Sequence, residues 1–111
     1  AMNFSNIKKV KVVVTVPLTH ADIVRNAMGD AGAGLVGDYT HCSFSSEGKG
    51  RFVPQDGANP HIGAIGKQEE VKEDRVEVGV LIEKVEEVIR AMKAVHPYEE
   101  VVYDVYPLLD L

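Results

Sequence analysis

Two stretches of the chain alternate apolar and polar residues with the two-residue period of a β-strand. Residues 7–16 carry valines at positions 10, 12, 14 and 16, and residues 75–82 carry a matching apolar row at positions 76, 78, 80 and 82. Because successive side chains of a strand point to opposite faces, each row predicts one buried face of a sheet. Residues 35–46 and 101–108 are predicted as further strands. The segment Glu47–Gly50 is typical of a hairpin turn, here leading into a short strand at 51–53.

Two other segments repeat apolar residues at the three- and four-residue spacing of a helix with one buried stripe. The first predicted helix lies between Thr19 and Ala31, and the second lies between Val85 and Val95. Gly29 stands inside the first helix, where a glycine costs roughly 1 kcal/mol relative to alanine. Residues 54–68 are rich in glycine and proline and are predicted as a long loop.

The predicted order is strand, helix, strand, loop, strand, helix, strand, within one domain that covers residues 1–111. Two βαβ halves of this size predict an α+β ferredoxin-like βαββαβ sandwich, with both helices on one face of a four-stranded sheet. The hairpin and the long loop are additions between the second and third core strands. Ala1 precedes Met2 and is interpreted as a remnant of tag removal.

The helix-free face of this sheet is predicted to be mixed in polarity rather than polar. Val13 and Leu81 point away from the valine rows, and Tyr106 and Leu108 share one face of the last strand. A bare sheet face on a monomer is expected to be polar. We therefore expect the apolar area to be covered by another copy of the chain.

The charge of the chain excludes two classes of partner. A net charge of −5 with scattered lysines and arginines argues against binding to nucleic acid or to an anionic membrane surface. No apolar stretch approaches the roughly 20 residues that span a bilayer. The single cysteine, Cys42, cannot form an internal disulfide, which fits a cytoplasmic location.

One glycine pattern resembles a nucleotide-binding motif but lacks the secondary structure that the motif requires on either side. Gly32, Gly34 and Gly37 match the G-x-G-x-x-G spacing of dinucleotide-binding loops. That motif requires the glycines to follow a strand and to open a helix, so that the helix N-terminus meets the pyrophosphate. Here they follow a helix, so we interpret them as a helix end and a turn.

Three side chains are candidate ligands of a divalent metal ion: Cys42, His61 and His96. His41 is adjacent to Cys42 on a predicted strand, so the two side chains point to opposite faces and do not share one ion readily. No chelating spacing of the zinc-site kind is present. A site assembled across subunits stays open, beside the simpler interpretation of a buried thiol and surface histidines.

The stretch from Gly48 to Gly66, which includes most of the long loop, and the segment after the second helix are the candidate binding regions. Long irregular connections in compact domains are often functional, and backbone N–H groups around Gly57 and Gly63 are suited to an anion. The alternative role of the loop is to pack on a neighbouring subunit. The corner that begins at His96 offers hydrogen-bonding groups but no paired nucleophile. The predicted ligand-binding residues are Gly57, Asn59, His61, Gly63, His96, Tyr98 and Glu99.

Four segments resemble the insert domain of Nif-three-like proteins. The closing segment at residues 96–108 has the sequence HPYEEVVYDVYPL. The central segments at 37–45, 48–54 and 57–63 have the sequences GDYTHCSFS, GKGRFVP and GANPHIG. The first four residues of the closing segment are also similar to a corner of CutA proteins, which share the PII-like fold.

The resemblance implies a PII/CutA-like domain of the kind that commonly forms trimers through its sheets. In Nif-three-like proteins the two-metal site lies in flanking domains that this sequence does not contain, so their hydrolase or cyclohydrolase activity is not expected here. By analogy with PII proteins, the long loop occupies the position of a regulatory loop. The leading hypothesis is a noncatalytic, trimeric binding or regulatory module. The alternatives are a CutA-like protein that binds a divalent metal such as copper, and a small metal-dependent hydrolase.

Overall fold

The computed structural model describes residues 6–111, so the interpretation of Ala1 as a tag remnant lies outside the described residues. Short 3₁₀ turns at Leu18–His20 and Ile82–Lys84 lead directly into the two helices. The elements in chain order are β1 (Lys9–Pro17), α1 (Ala21–Asp30), β2 (Phe44–Phe52), β3 (Glu69–Leu81), α2 (Val85–Val95) and β4 (Tyr103–Pro107).

The four strands form one sheet in the order β2-β3-β1-β4, and each neighbouring pair is antiparallel. Each helix therefore connects two strands that are separated by a third strand. The register places Val12 opposite Val78 of β3 and opposite Val105 of β4. This split βαβ arrangement is the ferredoxin-like fold, and it confirms the predicted fold class.

The core lies between one face of the sheet and the two helices. The valine rows of β1 and β3 are buried there, as the alternating pattern predicts. Val24 and Met28 of α1 and Val88 and Met92 of α2 are fully buried against these rows. The three- and four-residue spacing of the helices thus supplies the second layer of the sandwich.

Two of the predicted strand boundaries are wrong. The predicted hairpin turn at Glu47–Gly50 is absent, because β2 continues through this segment and pairs with β3 at each residue. The second strand begins at Phe44 rather than Leu35, and the third begins at Glu69 rather than Arg75. Cross-strand pairing along the long β3 outweighs the local cost of the two glycines in β2.

The segment between α1 and β2 is irregular and is held by backbone hydrogen bonds. Gly34 donates its N–H to the carbonyl oxygen of Gly79 at 2.8 Å and accepts a bond from the N–H of Cys42 at 3.0 Å. A side chain at position 34 would collide with the backbone of Cys42. The glycine string therefore forms a helix end and a turn, as predicted from its place after a helix.

The helix-free face of the sheet is mixed in polarity, as predicted. Val13 is buried there at 3% exposure, whereas Phe44 is 68% exposed, and Leu81 and Tyr106 are also exposed. Lysines and carboxylates stand between them along the same face. Within residues 6–111, no helix combines the length and the apolar character needed to cross a membrane.

Candidate functional site

A cavity of about 650 Å³ lies on the helix-free face, where β2 and β3 extend toward the long loop. Its floor is formed by β2 from Ser46 to Phe52 together with Glu73 and Arg75 of β3. The loop from Val53 to Ile62 and the segment from Tyr98 to Val102 form its walls. A cavity of this size falls in the range of small-molecule sites.

His96 holds the corner that positions the cavity wall. The α2 helix ends there with extended backbone angles, and the His96 side chain is only 8% exposed. Its Nε2–H donates to the carbonyl oxygen of Thr15 at 2.9 Å, and its Nδ1 accepts a bond from the N–H of Tyr98 at 3.1 Å. These two bonds define the neutral tautomer, and burial lowers the pKa of His96 below its ordinary value.

Tyr98 is packed among aromatic rings with its hydroxyl turned inward. Its ring centroid lies 5.8 Å from that of Phe52, 5.2 Å from His96 and 6.4 Å from His61. The hydroxyl is buried and has no hydrogen-bond partner within residues 6–111. Burial raises the pKa of Tyr98, and the negative charge of Glu73 beside it raises the pKa further. The hydroxyl is therefore protonated at neutral pH.

Glu73 is a largely buried acidic residue in the cavity floor. The residue as a whole is 7% exposed, and its carboxylate lies directly over the backbone of Gly50, where an added Cβ atom would collide with it. The carboxylate lies beside the Tyr98 hydroxyl, just outside hydrogen-bond geometry. A buried carboxylate is costly unless a partner compensates it.

The long loop is closed and is tied to the corner. The N–H of Gly66 donates to the carbonyl oxygen of Pro54 at 2.7 Å, which brings the two ends of the loop together. The N–H of Asn59 donates to Oε1 of Glu99 at 2.8 Å. These two hydrogen bonds hold the loop in place as one wall of the cavity.

The predicted ligand-binding residues divide into two groups. His61, Tyr98 and Glu99 line the cavity, whereas His96 lies behind Tyr98 and orients it. The remaining three do not line the cavity: Gly57 and Gly63 adopt positive φ angles in turns of the loop, and Asn59 contributes its N–H to the loop closure.

The candidate metal ligands are not gathered in one protomer. Within residues 6–111, no group of three or more His, Cys, Asp or Glu side chains is arranged to hold a metal ion. Cys42 does not line the cavity, and both ring nitrogens of His96 are already hydrogen-bonded. His61 lies edge-on to His20, with 5.8 Å between the ring centroids. A site shared between subunits stays a prediction.

Sequence reasoning missed three residues of the site: Glu73, Gly50 and Phe52. Glu73 belongs to a charged run at residues 69–75 that is typical of a solvated segment. Its burial follows from the extension of β3 beneath the loop, which the alternating pattern did not indicate. The local sequence predicts a turn at Gly50 and does not reveal that a carboxylate lies over this residue.

Comparison with known proteins agrees with the predicted resemblance. No protein-family model matches the chain. It is 54% identical over 99 residues to the GTP cyclohydrolase 1 type 2 homolog of Bacillus subtilis and 50% identical over 99 residues to that of Mycobacterium leprae. These matches cover 88% and 89% of this chain but 26% of each relative, so the chain spans about a quarter of their length.

Solved structures extend the comparison to the fold. A Bacillus cereus protein related to NIF3 superposes with a TM-score of 0.81 at 53% identity, covering 94% of this chain and 26% of that protein. The periplasmic divalent cation tolerance protein CutA from Archaeoglobus fulgidus gives a TM-score of 0.65 at 22% identity, covering 90% of this chain and 83% of that protein. The chain is therefore similar to a quarter-length segment of NIF3-related proteins, and its fold is the PII/CutA-like form of the ferredoxin-like fold.

Proposed function

We propose that this domain is a noncatalytic binding or regulatory module that assembles as a trimer through its helix-free sheet face. Its ligand enters the cavity between β2, the long loop and the corner at His96, close to the subunit interfaces. The fold and the relatives support a small binding or regulatory module in general. A reduced Cys42 would be compatible with action in the cytoplasm.

The observation that carries the proposal is that the cavity and the exposed apolar residues share one sheet face. Phe44, Leu81 and Tyr106 leave apolar area uncovered on this face, and the cavity lies on the same face. Exposed apolar area of this kind is favourable to bury against another subunit. A ligand in the cavity would then contact or neighbour the assembly interface, which gives it a route to regulation.

The side chains around the cavity are suited to holding a ligand rather than to transferring protons. Both ring nitrogens of His96 are engaged in hydrogen bonds, so His96 is already committed to structure. The raised pKa of Tyr98 keeps its hydroxyl protonated and makes it a hydrogen-bonding group rather than a base. We therefore assign positioning and recognition roles to this corner.

The name cyclohydrolase belongs to relatives that are about four times as long as this chain. We propose that the segment similar to this chain contributes binding or assembly to such proteins, while any chemistry belongs to the rest of their length. A regulatory ligand that is not the substrate of such a protein would bind in the cavity of this domain.

A ligand screen against a blocked cavity tests the proposal. Gly48 lines the cavity and no atom lies near the position of an added Cβ, so Gly48→Phe is expected to fill the cavity while the fold persists. Thermal-shift and calorimetric screens of nucleotides, small anions and other metabolites should give at least one binder that the wild type retains and Gly48→Phe loses. Absence of any such compound would contradict a binding role.

A divalent cation is the second candidate ligand. It is favoured by the adjacent rings of His20 and His61, of which His61 lines the cavity, and by the fold shared with CutA, a divalent cation tolerance protein. Elemental analysis of the wild type, Cys42→Ser and His61→Ala proteins after exposure to copper tests it. Unchanged metal content in both variants would show that Cys42 and His61 are not metal ligands. Lack of turnover of phosphoesters with added metals would exclude the hydrolase alternative.

A further inference from the structure

Glu73 is a largely buried acidic residue in the cavity. Within residues 6–111, none of the ion pairs involves Glu73. The residue as a whole is only 7% exposed. Burial of a carboxylate without a compensating partner is unfavourable, and a bound cation would supply such a partner.

The basic residues around the cavity are paired elsewhere. Lys49 and Arg51 of β2 point to the opposite face of the sheet, where both contact Glu70. Arg75 lies on the same face as Glu73, but its Nε atom is 3.9 Å from the Glu77 carboxylate. The positive charges at the cavity margin therefore do not neutralise Glu73.

The buried Tyr98 hydroxyl lies beside the Glu73 carboxylate. A small rotation of either side chain would let the hydroxyl donate to the carboxylate. The remaining carboxylate lone pairs would still be acceptors for a ligand. A group that satisfies this cluster must bring hydrogen-bond donors and positive charge.

Apolar surface surrounds this polar cluster. The ring of Phe52 packs against Tyr98, and Val53, Pro54 and Ile62 line the cavity beside them. A ligand that fits both features has a flat or compact apolar body and a cationic nitrogen head. The apolar body would be desolvated against the rings, and the head would meet the carboxylate.

We propose that the cavity binds a small organic cation, with Glu73 as the charge partner and the buried Tyr98 hydroxyl as the group that positions the Glu73 carboxylate. This inference rests on the proposed binding function and specifies its ligand class. Gly50 is part of the site because only a residue without a side chain leaves room for the Glu73 carboxylate. A nitrogen head of the amine or amidine type supplies the donors that the cluster lacks.

The test compares three probes of nearly equal shape: benzamidine, benzamide and benzoate. Backbone amide signals of isotope-labelled protein are followed by NMR as each probe is added. Benzamidine is expected to shift the signals of Gly50, Glu73 and Tyr98 in a saturable manner, and its affinity should exceed that of benzoate by about tenfold or more. Equal binding of all three probes, or no saturable shift with any of them, would overturn the inference.

Three variants separate recognition from folding. Glu73→Gln should weaken benzamidine binding about tenfold and Tyr98→Phe less strongly. Glu77→Gln, on the same strand and face but outside the cavity, is the matched control and should leave binding unchanged. Glu73→Gln should also raise the thermal midpoint of the ligand-free protein, because it removes an unpaired buried charge.

A pair of glycine substitutions gives an independent test. Gly50→Ala should displace the Glu73 carboxylate and weaken benzamidine binding. Gly79→Ala on β3, outside the cavity and next to only the movable end of the Lys9 side chain, should preserve it. If Glu73→Gln and Gly50→Ala both bind benzamidine as the wild type does, the cation inference fails while a binding role for the domain survives. If the cavity signals respond to protein concentration and not to benzamidine, a neighbouring copy fills the cavity and the inference is overturned.

Discussion

The backbone N–H of Asn59 donates a 2.8 Å hydrogen bond to Oε1 of Glu99, forty residues further along the chain. This bond joins the long loop to the corner that follows α2 at the mouth of the cavity. Bonds between an N–H group and a charged carboxylate are stronger than neutral ones. The shape of the cavity therefore depends on a contact between two elements that are distant in sequence.

Removal of this carboxylate should loosen the loop without unfolding the domain. Glu99→Ala is expected to increase the hydrogen-exchange rate of the Asn59 amide about tenfold, while the free energy of unfolding falls by less than about 1 kcal/mol. The control is Glu100→Ala at the neighbouring exposed position. Equal exchange of the Asn59 amide in the wild type and Glu99→Ala would contradict the assigned role.

The second prediction concerns Gly29 of α1 and His41. The imidazole of His41 occupies the space of a side chain at position 29, and its Nε2 lies 2.8 Å from Oδ1 of Asp30. Gly29→Ala should therefore destabilise the protein by about 1 kcal/mol or more, despite the better helix propensity of alanine.

The effect of Gly29→Ala on the free energy of unfolding should change sign when His41 is also replaced. His41 has a φ angle of 59°, which favours glycine, so His41→Gly is an acceptable background. In that background Gly29→Ala is expected to stabilise by roughly 1 kcal/mol, measured by denaturant unfolding in a double-mutant cycle. Additive effects of Gly29→Ala and His41→Gly on the free energy of unfolding would show that the His41 ring is not the reason for a glycine at position 29.

The third prediction is a pH dependence of stability caused by His96. Burial lowers the pKa of His96 in the folded protein below its ordinary value of 6.5, so the unfolded chain binds this proton more tightly. The contribution of neutral His96 is complete above the unfolded pKa. It is lost as the pH falls from that value through the lower folded pKa.

His96→Gln isolates this contribution. Glutamine can still donate a hydrogen bond toward the carbonyl oxygen of Thr15, but it does not titrate. The free energy of unfolding should fall more steeply for the wild type than for His96→Gln between about pH 7 and about pH 5. Parallel curves for the two proteins would contradict the assignment. The variant should itself be less stable by about 1–3 kcal/mol at neutral pH, since Nδ1 no longer accepts the Tyr98 N–H.

Much of the fold follows from local pattern. The valine rows at period two and the helical stripes determine which faces are buried, and the order of elements then limits the topology to the split βαβ form. The path of β2 through Gly48 and Gly50 did not follow from pattern, because its pairing with β3 is a non-local interaction. Local glycine content favours a turn at the same positions.

The candidate site was predicted in part. His61, Tyr98 and Glu99 were identified from the loop and corner and do line the cavity. Glu73 was not identified, since its burial depends on the loop folding over β3 rather than on its sequence neighbours. The structure places His96 behind Tyr98 with both ring nitrogens hydrogen-bonded to the backbone, and a direct role of His96 in ligand binding stays a prediction.

The central claim is that copies of the chain associate through the helix-free face of the sheet. Light scattering coupled to size-exclusion chromatography measures this directly. The account predicts a mass three times the 12.1 kDa of one chain, lost in Phe44→Glu on the helix-free face and kept in Ile23→Glu, an exposed position on α1. A wild-type mass of 12.1 kDa across the accessible concentration range would contradict it.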